Sequence, residues 1–260
     1  MKNIAIPFCF CIFFVFISFH PVGVIDYRIN KIVIDPGHGG KDPGTHGVIS
    51  KEKDVALKIS MELARIIKDN MPDVEVICTR QDDSFPELHE RADVANQKDA
   101  DLFISIHANW ISNPNIHGTE TYVMGLHKSE ANLKVAQREN AVILAEEGGA
   151  NDYDGFDPNS PESYILFSLY QSAFQQNSLR LADKIEDQFK NRVGRRSRGV
   201  KSAGFLVLWR TSMPSVLVEV GYLSNPKEER ELNDPLNQVY IASGIYRAFR
   251  DYKSEIESMN

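Results

Sequence analysis

The chain has 260 residues, 42% of them apolar and 25% charged, with a formal charge of −7. That length makes one large domain or two small ones, and 16 Gly, 12 Pro and ordinary aromatic content exclude collagenous, disordered and coiled-coil classes. The acidity argues against a broad basic surface for nucleic acid and otherwise favours solubility.

Lys2 precedes an uncharged run over residues 4–19, rich in Phe and Ile. A bilayer-spanning helix needs about 20 apolar residues, so the run suits the core of a secretory signal peptide. The stretch His20-Pro-Val-Gly-Val24 offers no small-residue cleavage site, which keeps an uncleaved anchor as the alternative. The expected division is therefore residues 1–24 as signal or anchor and 25–260 as one catalytic domain. Cys9 and Cys11 lie within the apolar run, so its removal leaves Cys78 as the single cysteine and permits no intramolecular disulfide.

Beyond that address, apolar runs of strand length at 31–35, 74–79, 102–106, 119–123, 205–208 and 216–219 alternate with helical spacing at 53–68, 88–97, 165–192 and 235–253. Near-continuous apolar strands separated by helices predict a single α/β domain: a twisted, mostly parallel sheet of about six strands with helices on both faces. Residues 126–164 break the rhythm with a polar helical segment and a Gly/Asn/Asp/Pro-rich stretch, and are expected to be an insertion.

Chemistry is expected at the carboxyl ends of strands. His38 follows the first strand in Asp35-Pro-Gly-His-Gly-Gly40, His107 the third in Ser105-Ile-His-Ala-Asn109, and Glu219 ends the last in Val218-Glu-Val-Gly221; Glu52 precedes the first helix. Two imidazoles and a carboxylate with one position left open make a His₂Glu catalytic zinc set. Each has a plainer reading: His38 as a turn residue, His107 as a strand-end residue, Glu52 as a favourable charge at a helix N-terminus. Glu219 resists one, since a carboxylate inside an apolar strand is costly unless paired.

The segments Lys31-Ile-Val-Ile-Asp-Pro-Gly-His-Gly-Gly40, Glu52-Lys-Asp54, Ser105-Ile-His-Ala-Asn109 and Pro214-Ser-Val-Leu-Val-Glu-Val-Gly-Tyr-Leu-Ser-Asn-Pro226 resemble the zinc-dependent N-acetylmuramoyl-L-alanine amidases of the type 3 family. Thr79-Arg80, Arg91, Gly118-Thr-Glu-Thr-Tyr122 and Arg198-Gly-Val-Lys201 extend the match, which runs from about residue 31 to 252. The resemblance implies a zinc-exopeptidase-like fold, one zinc ion held by His38, Glu52 and His107, and Glu219 as acid/base. It implies peptidoglycan as substrate, cut between the lactyl group of N-acetylmuramic acid and L-alanine, in the bacterial periplasm or cell envelope. Asn109 is a candidate for orienting substrate or a ligand, with loop capping as its plainer role. Arg80 and Arg91 are candidates for stem-peptide carboxylates, with structural pairing to Asp82, Asp83 or Asp101 as the alternative.

Two rival readings are a zinc exopeptidase, which often needs a second metal-bridging carboxylate not evident here, and a non-catalytic wall-binding module, which should have lost a ligand or Glu219. In division-associated members of the resembled family, similar insertions are self-inhibitory and are displaced by activator proteins. The insertion is expected to leave the fourth strand on the active-site side and to bring Glu146 or Glu147 to the zinc, with a partner protein acting on it.

Overall fold

The computed structural model describes residues 28–168 and 174–259, so the signal or anchor expected at 1–24 lies outside the described residues. In chain order the elements are β1 (Lys31–Pro36), α1 (Glu52–Asn70), β2 (Glu75–Cys78), α2 (Leu88–Gln97), β3 (Leu102–Asn109), β4 (Thr119–Met124), α3 (Glu130–Asn140), α4 (Pro161–Ser168), α5 (Gln175–Gln188), β5 (Ser197–Ala203), α6 (Leu206–Trp209), β6 (Ser215–Tyr222), α7 (Pro226–Asn233) and α8 (Pro235–Glu257). The strands form one sheet in the order β2-β1-β3-β6-β4-β5. Among the described residues no helix is long and apolar enough to cross a membrane.

Alternation along each strand divides the core. Ile32, Ile34, Ile104, Val216 and Val218 face one side, where α1, α5 and α8 cover them with Ile59, Leu63, Ile185, Ile245 and Phe249. Val33, Phe103, Tyr122 and Leu217 face the other, against Ala95, Phe205, Leu208, Ile143 and Tyr164. On α1, Val55, Ile59, Leu63 and Ile67 are fully buried at helical spacing, each contributing about 1.5–3 kcal/mol relative to an exposed side chain.

β1, β2, β3 and β6 are mutually parallel, whereas β4 runs antiparallel to β6 and β5 parallel to β4. The mostly parallel sheet of six strands is the one expected, but its membership differs. The apolar run 205–208 is not a strand: Leu206–Trp209 is a short helix whose residues pack into the second core. The missing strand is the polar edge strand Ser197–Ala203, half-buried along most of its length, which carries no run of apolar residues to announce it. Within the described residues, the helix expected over 165–192 comprises the end of α4 and all of α5, extended by one wider turn at Phe189–Val193.

The reversal of β4 also corrects the path of the insertion. Glu120 pairs with Glu219 and Tyr122 with Leu217, so the carboxyl end of β4 points away from the carboxyl ends of β3 and β6. The chain leaves β4 on the far edge and crosses the sheet again through α3, which therefore approaches the strand ends with its last turn.

Candidate metal centre and active site

The loop after β1 is built around His38. Gly37 N donates to Ile106 O (3.0 Å), drawing the loop against β3. A Cβ on Gly37 would lie 2.5 Å from the His107 ring, so only glycine allows the two histidine-bearing segments to meet this closely. His38 itself has φ 60°, a left-handed conformation that costs a non-glycine residue about 1–3 kcal/mol. Two buried arginines offset it. Arg91 donates to His38 O (2.8 Å), Pro36 O (2.8 Å), Pro86 O (3.0 Å) and Asp35 Oδ1 (2.8 Å). Arg80 donates to Pro36 O (3.0 Å), Gly37 O (2.7 Å), Lys53 O (2.8 Å) and Asp82 O (2.9 Å). Neither faces a substrate: both are nearly inaccessible and clamp the loop. Asp35, at the heart of this clamp, also accepts from Thr79 Oγ1 and Ser105 Oγ, each at 2.6 Å.

Four donor atoms converge beneath the loop. Glu52 Oε1 lies 3.0 Å from both His38 Nε2 and His107 Nδ1, and Glu139 Oε2 lies 3.1 Å from the same two nitrogens. Neighbouring groups fix each ligand. Asp42 Oδ2 holds His38 Nδ1 at 2.6 Å; Glu52 accepts from Thr45 N (2.8 Å) and Ala108 N (3.0 Å); Arg138 Nε donates to Glu139 Oε1 (3.0 Å).

The structure thus brings His38, Glu52 and His107 together, and the insertion adds Glu139, which the sequence reading missed. Glu146 and Glu147 are not there. Glu146 accepts from Leu88 N (2.8 Å) and from the Tyr153 hydroxyl, and Glu147 N donates to Glu87 Oε1 (3.0 Å), which pins this part of the insertion to the start of α2. The helix ends at Asn140 and continues as a tighter 3₁₀ segment over Ala141–Ala145, so residues one turn later do not share the face of Glu139.

The donor set fits a divalent metal ion. All four atoms lie within 4.8 Å of one another, and every residue is buried. A tetrahedral ion with bonds of about 2.0–2.2 Å spaces its ligands roughly 3.3–3.6 Å apart, a few tenths beyond the four histidine–glutamate separations here. His38 Nε2 and Glu139 Oε2 have no hydrogen-bond partner, as expected of atoms aimed at a cation. Without a cation the cluster attracts protons. Burial would lower the His107 pKa, but the Glu139 and Glu52 carboxylates raise it to about 9, and His38 is likewise raised well above its usual value.

Glu219 stands beside this centre, in register with His107 across the β3–β6 ladder. It is fully buried, and neither oxygen has a hydrogen-bond partner. Burial, then the nearby Glu139 and Glu52 carboxylates, push its pKa well above the usual carboxylate range. Its nearest cation is Arg138, whose Nη2 is 3.8 Å from Oε1. Asn109 accepts from Arg138 Nη2 (3.1 Å) and from Trp110 N (2.7 Å), so it anchors the insertion as well as its own loop.

Residues 32–251 match the family described as N-acetylmuramoyl-L-alanine amidase. The chain belongs to that family. The amidase AmiA of Escherichia coli (strain K12) is 34% identical over 224 residues, covering 85% of this chain and 75% of that protein. The crystal structure of an N-acetylmuramoyl-L-alanine amidase from Clostridium difficile 630 superposes with a TM-score of 0.64 at 28% identity, covering 87% of this chain and 97% of the other. The CwlD amidase of Clostridioides difficile, solved in complex with the GerS lipoprotein, gives 0.63 at 27% identity, covering 86% and 98%. The chain is thus an amidohydrolase acting on peptidoglycan, at the amide that joins N-acetylmuramic acid to L-alanine.

Proposed function

We propose that this amidase works with one zinc ion held by His38, Glu52 and His107, and that its own insertion keeps it shut through Glu139. The observation that carries the reading is the Glu139 carboxylate, which stands 3.1 Å from both imidazole nitrogens in the place a substrate carbonyl would need. A zinc ion there supplies Lewis acidity, lowering the pKa of water towards about 7 and polarising a carbonyl. The chain supplies the rest. Glu219 accepts a proton from the attacking water and returns it to the nitrogen of the departing L-alanine, a role usually worth about 10²–10⁴ in rate. Asp42 and Thr45 keep the ligands oriented.

Opening requires α3 to withdraw, and a partner protein that binds the insertion is the natural agent; the lipoprotein complex of the related CwlD amidase supports that reading. Export to the cell envelope, directed by residues 1–24, would bring the enzyme to its polymer. Mass spectrometry of sacculi digested by Glu139→Ala, whose site is no longer closed, tests the function: free stem peptides with an amino-terminal L-alanine are expected. Single amino acids released from peptides would indicate an exopeptidase, and unaltered muropeptides a wall-binding module.

A further inference from the structure

A cavity of about 530 Å³ opens beside the metal centre, on the other side of Arg138 from the donors. Its charged floor is made by two stretches that the metal chemistry does not use, Gly118-Thr-Glu-Thr-Tyr122 and Arg198-Gly-Val-Lys201. Glu120 on β4 is 1% exposed. Its Oε1 accepts from Arg198 Nε (2.7 Å), from Lys201 Nζ and from the Tyr222 hydroxyl (2.7 Å), while Oε2 accepts from the Tyr122 hydroxyl (2.7 Å). Two cations therefore face one carboxylate, and one positive charge is left over in a chain whose total is −7. A purely structural pair would need a single cation to neutralise Glu120. Both cations instead remain partly open to the cavity, with side chains 27% and 20% exposed. Trp110, 43% exposed, adds an apolar plate at the rim.

The position of this charge relative to the chemistry is fixed by the sheet. Glu120 pairs directly with Glu219 in the β4–β6 ladder, and adjacent strands lie about 4.8 Å apart. A peptide leaving the scissile amide advances about 3.5 Å per residue, so its second and third residues fall roughly 7–10 Å away. That reach matches a cavity which begins one strand from Glu219. We propose that Arg198 and Lys201, oriented by Glu120 and Tyr222, bind the free α-carboxylate of the residue after L-alanine, making this cavity the peptide-side subsite for an acidic stem peptide. The proposal rests on the amidase reading. Because the two cations sit on β5 rather than on the insertion, the subsite persists when α3 moves. Arg138 also lines a second cavity of about 320 Å³ beside His38 and Thr45. Its withdrawal would join the two into one groove across the donors.

The test is binding to the full chain, measured by calorimetry with the tripeptide L-Ala-γ-D-Glu-diaminopimelate and with the same peptide amidated at the D-Glu α-carboxylate. Amidation should weaken binding by about 10-fold or more, the scale of a lost charge-assisted hydrogen bond. In Lys201→Met and in Arg198→Gln the two peptides should bind within about 3-fold of each other, each having lost the same contact. Lys134→Met, on α3 in the same cavity wall, should preserve the difference. Equal affinities in the unmodified protein, no binding of either peptide at millimolar concentration, a difference that survives both β5 variants, or its loss in Lys134→Met would each overturn the proposal. Release of L-alanine-terminated peptides from sacculi reports on the amidase reading alone, so the two can fail separately.

Discussion

Removing the Glu139 carboxylate is the most direct test of the shut state. In Glu139→Ala the insertion loses its contact with both imidazole nitrogens and the acceptor for Arg138 Nε. What remains at the end of α3 is Arg138 donating to Trp110 O (2.9 Å) and Asn109 Oδ1 (3.1 Å), with Asn140 donating to Gly204 O (2.7 Å) and accepting from Leu206 N (2.9 Å). Breaking a buried charged contact costs about 3–5 kcal/mol, and a conventional hydrogen bond contributes only about 0.5–1.5 kcal/mol net. The balance between shut and open forms should therefore move by about 10²-fold or more. Dye release from labelled sacculi, with no partner protein added, should rise by about 10- to 100-fold, capped by the remaining contacts of α3. Zinc content should be unchanged, because His38, Glu52 and His107 are intact. Adding Arg138→Ala should raise the rate further by removing the remaining hydrogen bonds of α3 to Trp110 O and Asn109 Oδ1. Equal rates for the unmodified protein and Glu139→Ala, both fully loaded with zinc, would refute the reasoning.

Other perturbations separate the remaining roles. Glu219→Gln should keep zinc near stoichiometric by metal analysis while hydrolysis falls by at least about 10²-fold, whereas His107→Ala should empty the site. Arg91→Ala strands the buried Asp35 charge and releases His38 O, and should lower unfolding free energy by roughly 3–5 kcal/mol in a urea titration. Burial, reinforced by Glu87, raises the pKa of Glu146 despite its bonds from Tyr153 and Leu88. A raised carboxyl favours the folded state most when protonated, so its stabilising effect is complete below the unfolded pKa of about 4.3 and is lost as pH rises through the folded value. Glu146→Gln should thus compare best with the unmodified protein at pH 7 and lose that advantage towards pH 5, read as melting-temperature differences, without activating the enzyme.

Much of the frame of the candidate site is legible because strand ends announce themselves. His38 after Asp35-Pro-Gly, His107 after an apolar run and Glu219 inside another are positions where polar residues interrupt a buried strand for a reason. The insertion was harder, since its geometry depends on strand direction, and no residue in 119–124 reveals that β4 is antiparallel to β6. An expectation built on departure from the other end of β4 places Glu146 or Glu147 at the donors, whereas Glu139, seven residues before Glu146 and still within α3, is the residue that reaches them. Because sequence shows charge without burial, Arg80 and Arg91 stand open there between substrate carboxylates and structural pairing; the fold turns their donors onto loop carbonyls and, for Arg91, onto Asp35. The helix α7 was missed despite a usable signal. Asn225 accepts from Lys227 N and Glu228 N with Pro226 at the first helical position, the asymmetry that starts many helices.

The register of β3 with β6 gives the site two halves that open on different terms. His107 and Glu219 are paired positions in the middle of the sheet, within strands that are buried along their whole length. Their backbone amides should exchange with deuterium only through complete unfolding. His38 rides on a loop and Glu139 on an insertion, and such segments open by local excursions of much lower free energy. Hydrogen exchange should therefore divide the site into a slow pair of strands and a fast rim. A bound ion would leave through the rim, while Glu219 and His107 keep their spacing for its return.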